Sequence, residues 1–193
     1  LMHDTATGAG YGIGAARGIT GGRKGYKSAL FEGGIGVPFV VRWPGTIDAS
    51  KVDKTSLISA VDLLPTFCEI AGVTLPESYK PDGISQLATF KGKPTVGRAK
   101  PLFWKMNSAW PIQKSRPYHW VSYAIVDQHW KLVSNKDASY IELFDLDQDP
   151  YEKNDLKGTH AVIVQRLLEK LEQWKASLPA QPTGDVFSSE RSE

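Results

Sequence analysis

The chain is poor in cysteine, in net charge and in long hydrophobic runs, and each shortage excludes a class of protein. Its 193 residues include one cysteine, Cys68, which excludes an internal disulfide framework. A net charge of +2 is too small to indicate a nucleic acid or an anionic membrane as a partner. The longest apolar runs, such as residues 37–41, are far too short to span a bilayer. The remaining composition, with 41% hydrophobic and 23% charged residues, is typical of a globular protein with its own core.

Familiar catalytic motifs are missing as well. The chain has no GxSxG elbow, no P-loop, no HExxH and no Cys/His cluster. Cys68 lies at a helical spacing among apolar residues, with no nearby histidine or cation to activate it, and is interpreted as a small core residue. The aspartate-rich stretch FDLDQDPYEKNDL lacks the glycine and the final glutamate of an EF-hand, so it is interpreted as a strand that ends in a turn.

The first half of the chain alternates glycine-rich stretches with two regular elements. Residues 1–25 are rich in Gly, Ala and Thr without a period and predict a loop. Residues 37–43 are almost continuously apolar, which predicts a strand covered on both faces. Residues 62–71 predict a helix, with Asp62 as its N-cap and Gly72 as its stop.

From residue 101 the pattern changes to short aromatic and β-branched segments. They predict an antiparallel meander of about four strands. The segments are residues 102–104, 118–126, 129–133 and 140–146. Residues 127–128 have the spacing of a two-residue hairpin connection between the middle pair. Apolar residues at helical steps predict an amphipathic helix that begins near Thr159, ends before Pro179 and covers one face of the sheet. The polar tail, residues 179–193, is predicted to be disordered.

The most informative segment is residues 24–45, KGYKSALFEGGIGVPFVVRWPG. It resembles the sulfatase family's segment of a lysine, a Glu-Gly-Gly, a Val-Pro strand and a Trp-Pro-Gly turn. The strings SAVDLLPTFCEIAGV, PDGIS, HWKLV and ELFDLDQDPYEKNDL follow, and they resemble further segments of the same family in the same order. Because these motifs agree in register over residues 24–174, the resemblance is specific.

The resemblance implies an α/β (α+β) fold in two parts. Residues 1–100 are expected to form the C-terminal segment of an alkaline-phosphatase-like catalytic domain and its sheet. Residues 101–178 are expected to form a small antiparallel four-stranded sheet packed with a C-terminal helix. The implied activity is the hydrolysis of sulfate esters, with a sulfated carbohydrate or an aryl sulfate as the substrate. The family also favours a periplasmic or extracellular location.

The family nucleophile is a formylglycine made within a Cys/Ser-x-Pro-x-Arg motif, and this motif does not occur in the chain. We therefore expect the nucleophile to lie outside this chain, and the chain alone to be inactive. Leu1 precedes Met2, so we expect a fragment or a processed chain, with an N-terminal partner chain or a homodimer as its partner. A related phosphatase or phosphodiesterase and a non-catalytic binding module that keeps the scaffold are the alternative functions.

The resemblance also implies the role of a lysine. The family lysine five residues before the glutamate contacts the sulfate oxygens, and Lys27 has that spacing from Glu32. A fixed ammonium would stabilise the negative charge spread over a sulfuryl group in transfer, so Lys27 is the predicted catalytic residue. Lys24 is the competing assignment and is predicted to bind substrate. Gly33 and Gly34 are predicted to let the backbone turn sharply from this loop into the strand.

The remaining candidates concern the metal and the substrate. The family holds a divalent cation, usually calcium, with carboxylates and an amide. Asp4 is the candidate ligand here, although Thr5 stands where the amide is expected. Trp104 and Trp120 are candidates for stacking on a sugar, and His119 lies in the same aromatic-rich region. The alternative for these three residues is packing within the sheet.

Overall fold

The computed structural model describes residues 20–93, 97–106 and 117–179. It has four α-helices, a short 3₁₀ turn and four strands within these ranges. The helices are α1 (Glu32–Ile35), α2 (Leu63–Ala71, preceded by the 3₁₀ turn Ala60–Asp62), α3 (Leu87–Phe90) and α4 (Ala161–Ser177). The strands are β1 (Leu102–Lys105), β2 (Tyr123–Asp127), β3 (Trp130–Ser134) and β4 (Ile141–Asp145). None of the helices in the described ranges is long and apolar enough to cross a membrane.

The predicted meander is confirmed. The four strands form one antiparallel sheet in the order β1-β2-β3-β4. The hairpin between β2 and β3 lies one residue later than predicted, because Asp127 pairs with Trp130 and leaves Gln128 and His129 as the loop. Gln128 has a positive φ of 58° without being glycine. Its side-chain amide donates to the Arg98 carbonyl at 2.9 Å, which offsets part of that backbone cost.

One face of the sheet packs on helix α4, as the sequence predicted. Side chains alternate between faces along a strand, so Ile125, Leu132 and Leu143, which are register partners, point the same way. They form a single cluster with Leu167 and Leu171 of α4, and all five side chains are fully buried. This packing accounts for a helix of 17 residues that is polar on its outer face.

The other face of the sheet is covered by the beginning of the described chain. Ala29, Leu30 and Phe31 form a second cluster with Val133 and Phe144 of the sheet. The predicted division near residue 100 stays a prediction, but these contacts show that residues before it are part of the core of the antiparallel sheet. The family segment that contains Lys27 is therefore held by the strands that come more than 90 residues later.

The predicted strand over residues 37–43 is wrong for this chain. The segment has no regular secondary structure, and Val37 and Val40 are 77% and 89% exposed. A strand is stable only when a neighbouring strand accepts and donates its backbone hydrogen bonds and other layers cover its side chains. In the described ranges all the strands belong to the meander, so nothing there pairs with this apolar run.

Helix α2 is confirmed, and Gly72 ends it in the left-handed conformation with a φ of 66°. Asp62 occupies the N-cap position, but its side chain does not cap α2. Its carboxylate accepts instead from the backbone N–H groups of Ser59 and Ile84, both at 2.9 Å. The apolar face of α2 is largely exposed, with Phe67 57% accessible, and Cys68, interpreted as a core residue, is only half-buried.

Asp62 also forms a buried ion pair with Arg98, 36 residues later in the chain. Each of its carboxylate oxygens lies 2.7 Å from a terminal nitrogen of Arg98, and both side chains are buried. Burial by itself would raise the pKa of Asp62, but the bonds from Arg98, Ile84 and Ser59 outweigh it and hold that pKa below its usual value. Close packing of the backbone beside this pair requires glycine at position 83, because a Cβ on Gly83 would lie 2.0 Å from the Val61 carbonyl oxygen.

We expect Asp62→Asn to lower the free energy of unfolding by about 3–5 kcal/mol, because it leaves the Arg98 charge buried without its counter-charge. Urea unfolding followed by circular dichroism measures this. The stabilisation from Asp62 is complete above about pH 4 and is lost as the pH falls through its lowered folded-state pKa. The acid-dependent loss of stability should therefore be smaller in Asp62→Asn than in the parent chain.

The matched control is Asp48→Asn. Asp48 forms an exposed ion pair with Lys51 at 3.8 Å, so its loss should change stability by less than about 0.5 kcal/mol. Equal effects of the two substitutions would contradict the structural role of Asp62.

Candidate functional site

Lys27 lies at the tip of a tight turn that is anchored on both sides. The Ala29 backbone N–H donates to the Tyr26 carbonyl at 3.0 Å and closes the turn. Ser28 has a φ of 71°, the left-handed value that the third residue of a type II turn requires. Tyr26 and Ala29 are buried, while Lys27 and Ser28 are exposed. The turn therefore presents the Lys27 side chain to solvent from a fixed backbone.

Gly33 and Gly34 are needed for a different reason than the one the sequence predicted. They lie in helix α1, and neither has a left-handed φ. A Cβ on Gly33 would lie 2.3 Å from the Gly25 carbonyl oxygen, and one on Gly34 would lie 2.1 Å from that of Ala29. The Gly33 N–H also donates to the Lys24 carbonyl at 2.7 Å. The glycine pair thus lets the loop backbone pack directly on α1 rather than starting a strand.

Lys24 is held by the sheet. Its ammonium lies 2.5 Å from a carboxylate oxygen of Glu142 on β4. The same ammonium lies 4.5 Å and 4.8 Å from the ring centres of Phe31 and Phe144. An ammonium between two aromatic rings and a carboxylate is stabilised in that position. Lys24 therefore fastens the N-terminal side of the loop to the sheet.

Glu32 fastens the other side of the loop through a buried charge cluster. The Lys131 ammonium on β3 is fully buried and lies 2.8 Å from Glu32 Oε1 and 2.8 Å from Glu152 Oε1. Glu152 Oε2 also accepts the backbone N–H of Glu32 at 2.7 Å. Burial raises the pKa of the Glu152 carboxyl, and the nearby Lys131 charge offsets part of that shift. Two ion pairs of opposite polarity, Lys24–Glu142 and Glu32–Lys131, therefore fix the register of the loop on the sheet.

The structure brings two of the aromatic candidates next to this loop. The His119 ring lies 5.1 Å from the ring of Tyr26, and its side chain is buried. Trp120 is buried in the same cluster, with Phe31 and Tyr140 against it at ring separations of 6.0 Å and 4.6 Å. These contacts fit the packing alternative for Trp120, and its role in substrate binding stays a prediction.

Trp104 is more accessible to solvent than His119 or Trp120. It lies on β1, is half-buried and packs against the edge of the cluster that contains Phe31. Of the predicted aromatic contacts, Trp104 has the most surface left for a ligand.

The predicted metal ligand cannot be placed relative to the loop. Asp4 is outside the described residues. Within residues 20–93, 97–106 and 117–179 no group of three or more His, Cys, Asp or Glu side chains could hold a metal ion. The described residues do not by themselves fit a calcium site, so no chemical step is assigned to a metal here.

Sequence reasoning did not identify Glu142, Lys131 and Glu152 as partners of the loop. A signal was present for Lys131, because it stands two residues before Val133 and so shares a face with a core side chain. Glu152 had no comparable signal, because its stretch was interpreted only as a turn after a strand.

Comparison with known proteins identifies the family of the chain. The family model for the C-terminal region of N-sulphoglucosamine sulphohydrolase matches residues 23–177. The N-acetylgalactosamine-6-O-sulfatase of Bacteroides thetaiotaomicron is 30% identical over 153 residues, which are 79% of this chain and 30% of that protein. Human steryl-sulfatase is 31% identical over 196 residues, covering 89% of this chain and 33% of that protein.

Solved structures give the same result. One from Bacteroides thetaiotaomicron, solved in work on the metabolism of multiple glycosaminoglycans, matches with a TM-score of 0.62 and 26% identity over 81% of this chain and 32% of its own. Another, in complex with a neocarrahexaose, matches with a TM-score of 0.59 at 23% identity, which shows the fold alone, over 76% of this chain and 30% of its own. The chain spans about a third of the length of these relatives. The predicted fold class is confirmed as a mixed α/β fold with a four-stranded antiparallel sheet and a C-terminal helix, and the chain belongs to the sulfatase family.

Proposed function

We propose that this chain is the C-terminal portion of a sulfatase that hydrolyses sulfate esters, and that Lys27 contacts the sulfate group. The observation that carries the proposal is the exposed position of Lys27 on a turn whose two end residues, Tyr26 and Ala29, are buried. An enzyme gains most from a charge that is already fixed where negative charge develops, because no reorganisation is then needed during the reaction.

The geometry supports Lys27 over Lys24 for this role. Within the described residues the Lys27 side chain makes no hydrogen bond or ion pair, so its ammonium is available to a ligand. The Lys24 ammonium is already engaged by Glu142, Phe31 and Phe144. A substrate contact by Lys24 would have to break that arrangement, whereas anchoring of the loop would keep it.

The chemical role of Lys27 follows from its charge. When a sulfuryl group is transferred, negative charge accumulates on its oxygens, and an ammonium beside them stabilises the transition state more than the bound substrate. The formylglycine that would act as the nucleophile is expected outside this chain. Calcium would supply a further fixed positive charge, with Asp4 as the proposed ligand from this chain.

The proposed substrate is a sulfated carbohydrate or an aryl sulfate. Two matched relatives support the carbohydrate, because one is named for N-acetylgalactosamine 6-O-sulfate and another was solved in work on glycosaminoglycans. His119 lies against Tyr26 of the Lys27 turn, and Trp104 packs against the cluster that contains Phe31. Together with Trp120, they are the proposed contacts to the sugar ring. The family favours a periplasmic or extracellular location for such an enzyme.

We also propose that further polypeptide covers the apolar surface of residues 37–40 and helix α2. Large apolar side chains on this surface are exposed; they are Val37, Phe39, Val40, Val61, Leu64, Phe67 and Ile70. Monomeric proteins seldom expose large apolar patches. The chain spans about a third of its relatives' length, so the proposed cover is an N-terminal portion or partner chain, with a homodimer as the alternative.

Lys27→Ala in the complete protein should lower the turnover of a sulfate ester by about 10²–10³-fold, because it removes one charge that acts on the transition state. Steady-state kinetics measure the loss, and urea unfolding should show a change in stability below about 0.5 kcal/mol, because the side chain is exposed.

Lys54→Ala is the matched control, since Lys54 is an exposed lysine outside the loop, and it should leave turnover unchanged. Lys24→Ala should lower stability as well as turnover, because it removes the pair with Glu142. Full activity in Lys27→Ala would overturn the assignment.

The 193-residue chain alone should show no sulfatase activity on an aryl sulfate, with or without added calcium, because it lacks the nucleophile motif. Hydrolysis above the uncatalysed rate that follows the protein through purification would contradict this expectation.

The isolated chain should self-associate or bind a hydrophobic dye, because the surface around Val40 and Phe67 is exposed. Sedimentation and dye fluorescence measure the two effects. Replacing Leu64 and Phe67 by serine should reduce both, whereas Val162→Ser, at an exposed position on α4, should not. A monodisperse monomer that binds no dye would rule out the proposed cover.

A further inference from the structure

We propose that Glu152 is a positioning residue for the reaction: its carboxylate, acting through Glu32 and Lys131, holds the turn that presents Lys27. This inference rests on the proposed function of Lys27 and assigns to the turn after β4 a part in the sulfate site.

The first observation is the cluster itself. Glu152 and Lys131 have no exposed side-chain surface, and the Glu32 side chain is 20% exposed. The two Glu152 oxygens have different partners, since one lies 2.8 Å from the Lys131 ammonium and the other accepts the Glu32 backbone N–H at 2.7 Å. A backbone contact fixes the position of the main chain, which an ion pair between flexible side chains does not.

The second observation is the backbone of Glu152, which is independent of the cluster. Its φ is 56°, in the left-handed region that glycine adopts at little cost and other residues rarely adopt. The surrounding turn enforces this conformation, because the Asp149 carboxylate accepts the N–H groups of Lys153 at 2.7 Å and Asn154 at 2.8 Å. The Asp149 carbonyl accepts the Glu152 N–H at 3.1 Å. A glutamate in a place that suits glycine indicates that the side chain is required.

A continuous path leads from Glu152 to Lys27. Glu32 is the first residue of α1, and the next residue, Gly33, donates its N–H to the Lys24 carbonyl at 2.7 Å. Gly34 packs so closely on the Ala29 carbonyl that a Cβ would not fit. The backbone on each side of the Lys27 turn therefore rests on α1, and a shift of α1 moves the turn.

A contribution to stability does not by itself explain why Glu32, Lys131 and Glu152 are charged residues. A buried ion cluster is often no more stable than apolar side chains of similar volume, because the charges lose their hydration. Its directional contacts do specify one position of the loop on the sheet, as catalysis by a fixed ammonium requires.

The test is a double-mutant cycle in the complete protein. Glu152→Gln keeps the shape of the side chain and removes its charge. It should lower kcat/KM by up to about 10²-fold, the effect of a displacement of about 1 Å in a catalytic group. In the Lys27→Ala background the same substitution should cause no further loss, because the group that it positions is gone. An equal loss in both backgrounds would overturn the positioning role.

Asp62→Asn is the matched control for a merely structural effect. It also removes a buried charge, but the partners of Asp62 are Ser59, Ile84, Gln86 and Arg98, none of which belongs to the Lys27 loop. At a temperature where the folded state is fully populated, it should change kcat/KM by the same small factor with and without Lys27. If Glu152→Gln does not fold, Glu32→Gln removes one partner of Lys131 from a half-buried position and should show the same non-additive loss.

A second readout does not depend on activity. Lys27 is an exposed site for trypsin on a fixed turn, and Lys54 is an exposed site elsewhere. Glu152→Gln should raise the rate of cleavage after Lys27 at least several-fold relative to cleavage after Lys54, as mass spectrometry of the native digest measures. An unchanged ratio would contradict the inference. If Lys27→Ala is fully active but this ratio rises, the proposed sulfate contact fails while the positioning of the loop by Glu152 stands.

Discussion

The buried ammonium of Lys131 is the interaction on which this arrangement depends. A charge removed from water needs a counter-charge and hydrogen-bond partners, and here they come from Glu32, 99 residues earlier, and from Glu152 after the next strand. Removal of Lys131 would leave two carboxylates, one of them fully buried, without their counter-charge. The fold therefore requires helix α1, strand β3 and the turn after β4 to assemble together.

Most of the residues that identify the family are structural in this chain. Gly33 and Gly34 allow close packing of backbone, and Gly83 does the same where the loop around Ile84 meets the start of α2. Asp62 joins that start to Arg98 through a buried pair. Within the turn of residues 26–29, Lys27 is a cation exposed to solvent, whereas Tyr26 and Ala29 are buried. This contrast between an anchored frame and one presented cation is the basis of the proposed function.

The two halves of the chain differ in how well they bury their apolar residues. The meander has a helix on one face and the segment around Phe31 on the other, so both faces are covered. Residues 37–40 and α2 have the composition of a core but are exposed in the described structure. An apolar run with strand composition lacks the partners that would make it a strand, which is why composition and structure disagree there.

The sequence by itself determined the elements whose pattern is local. The four strands of the meander, helix α4 and the end of α2 at Gly72 follow from alternation, helical spacing and a left-handed glycine, and the motif order determined the family. Only the tertiary structure decided the partners. It showed that Lys24 is bound by Glu142, that Lys131 is compensated by Glu152, and that residues 37–43 form no strand. Each of these outcomes depends on groups far apart in the chain, and hydrophobic periodicity carries no information about which distant charge or strand a residue will meet.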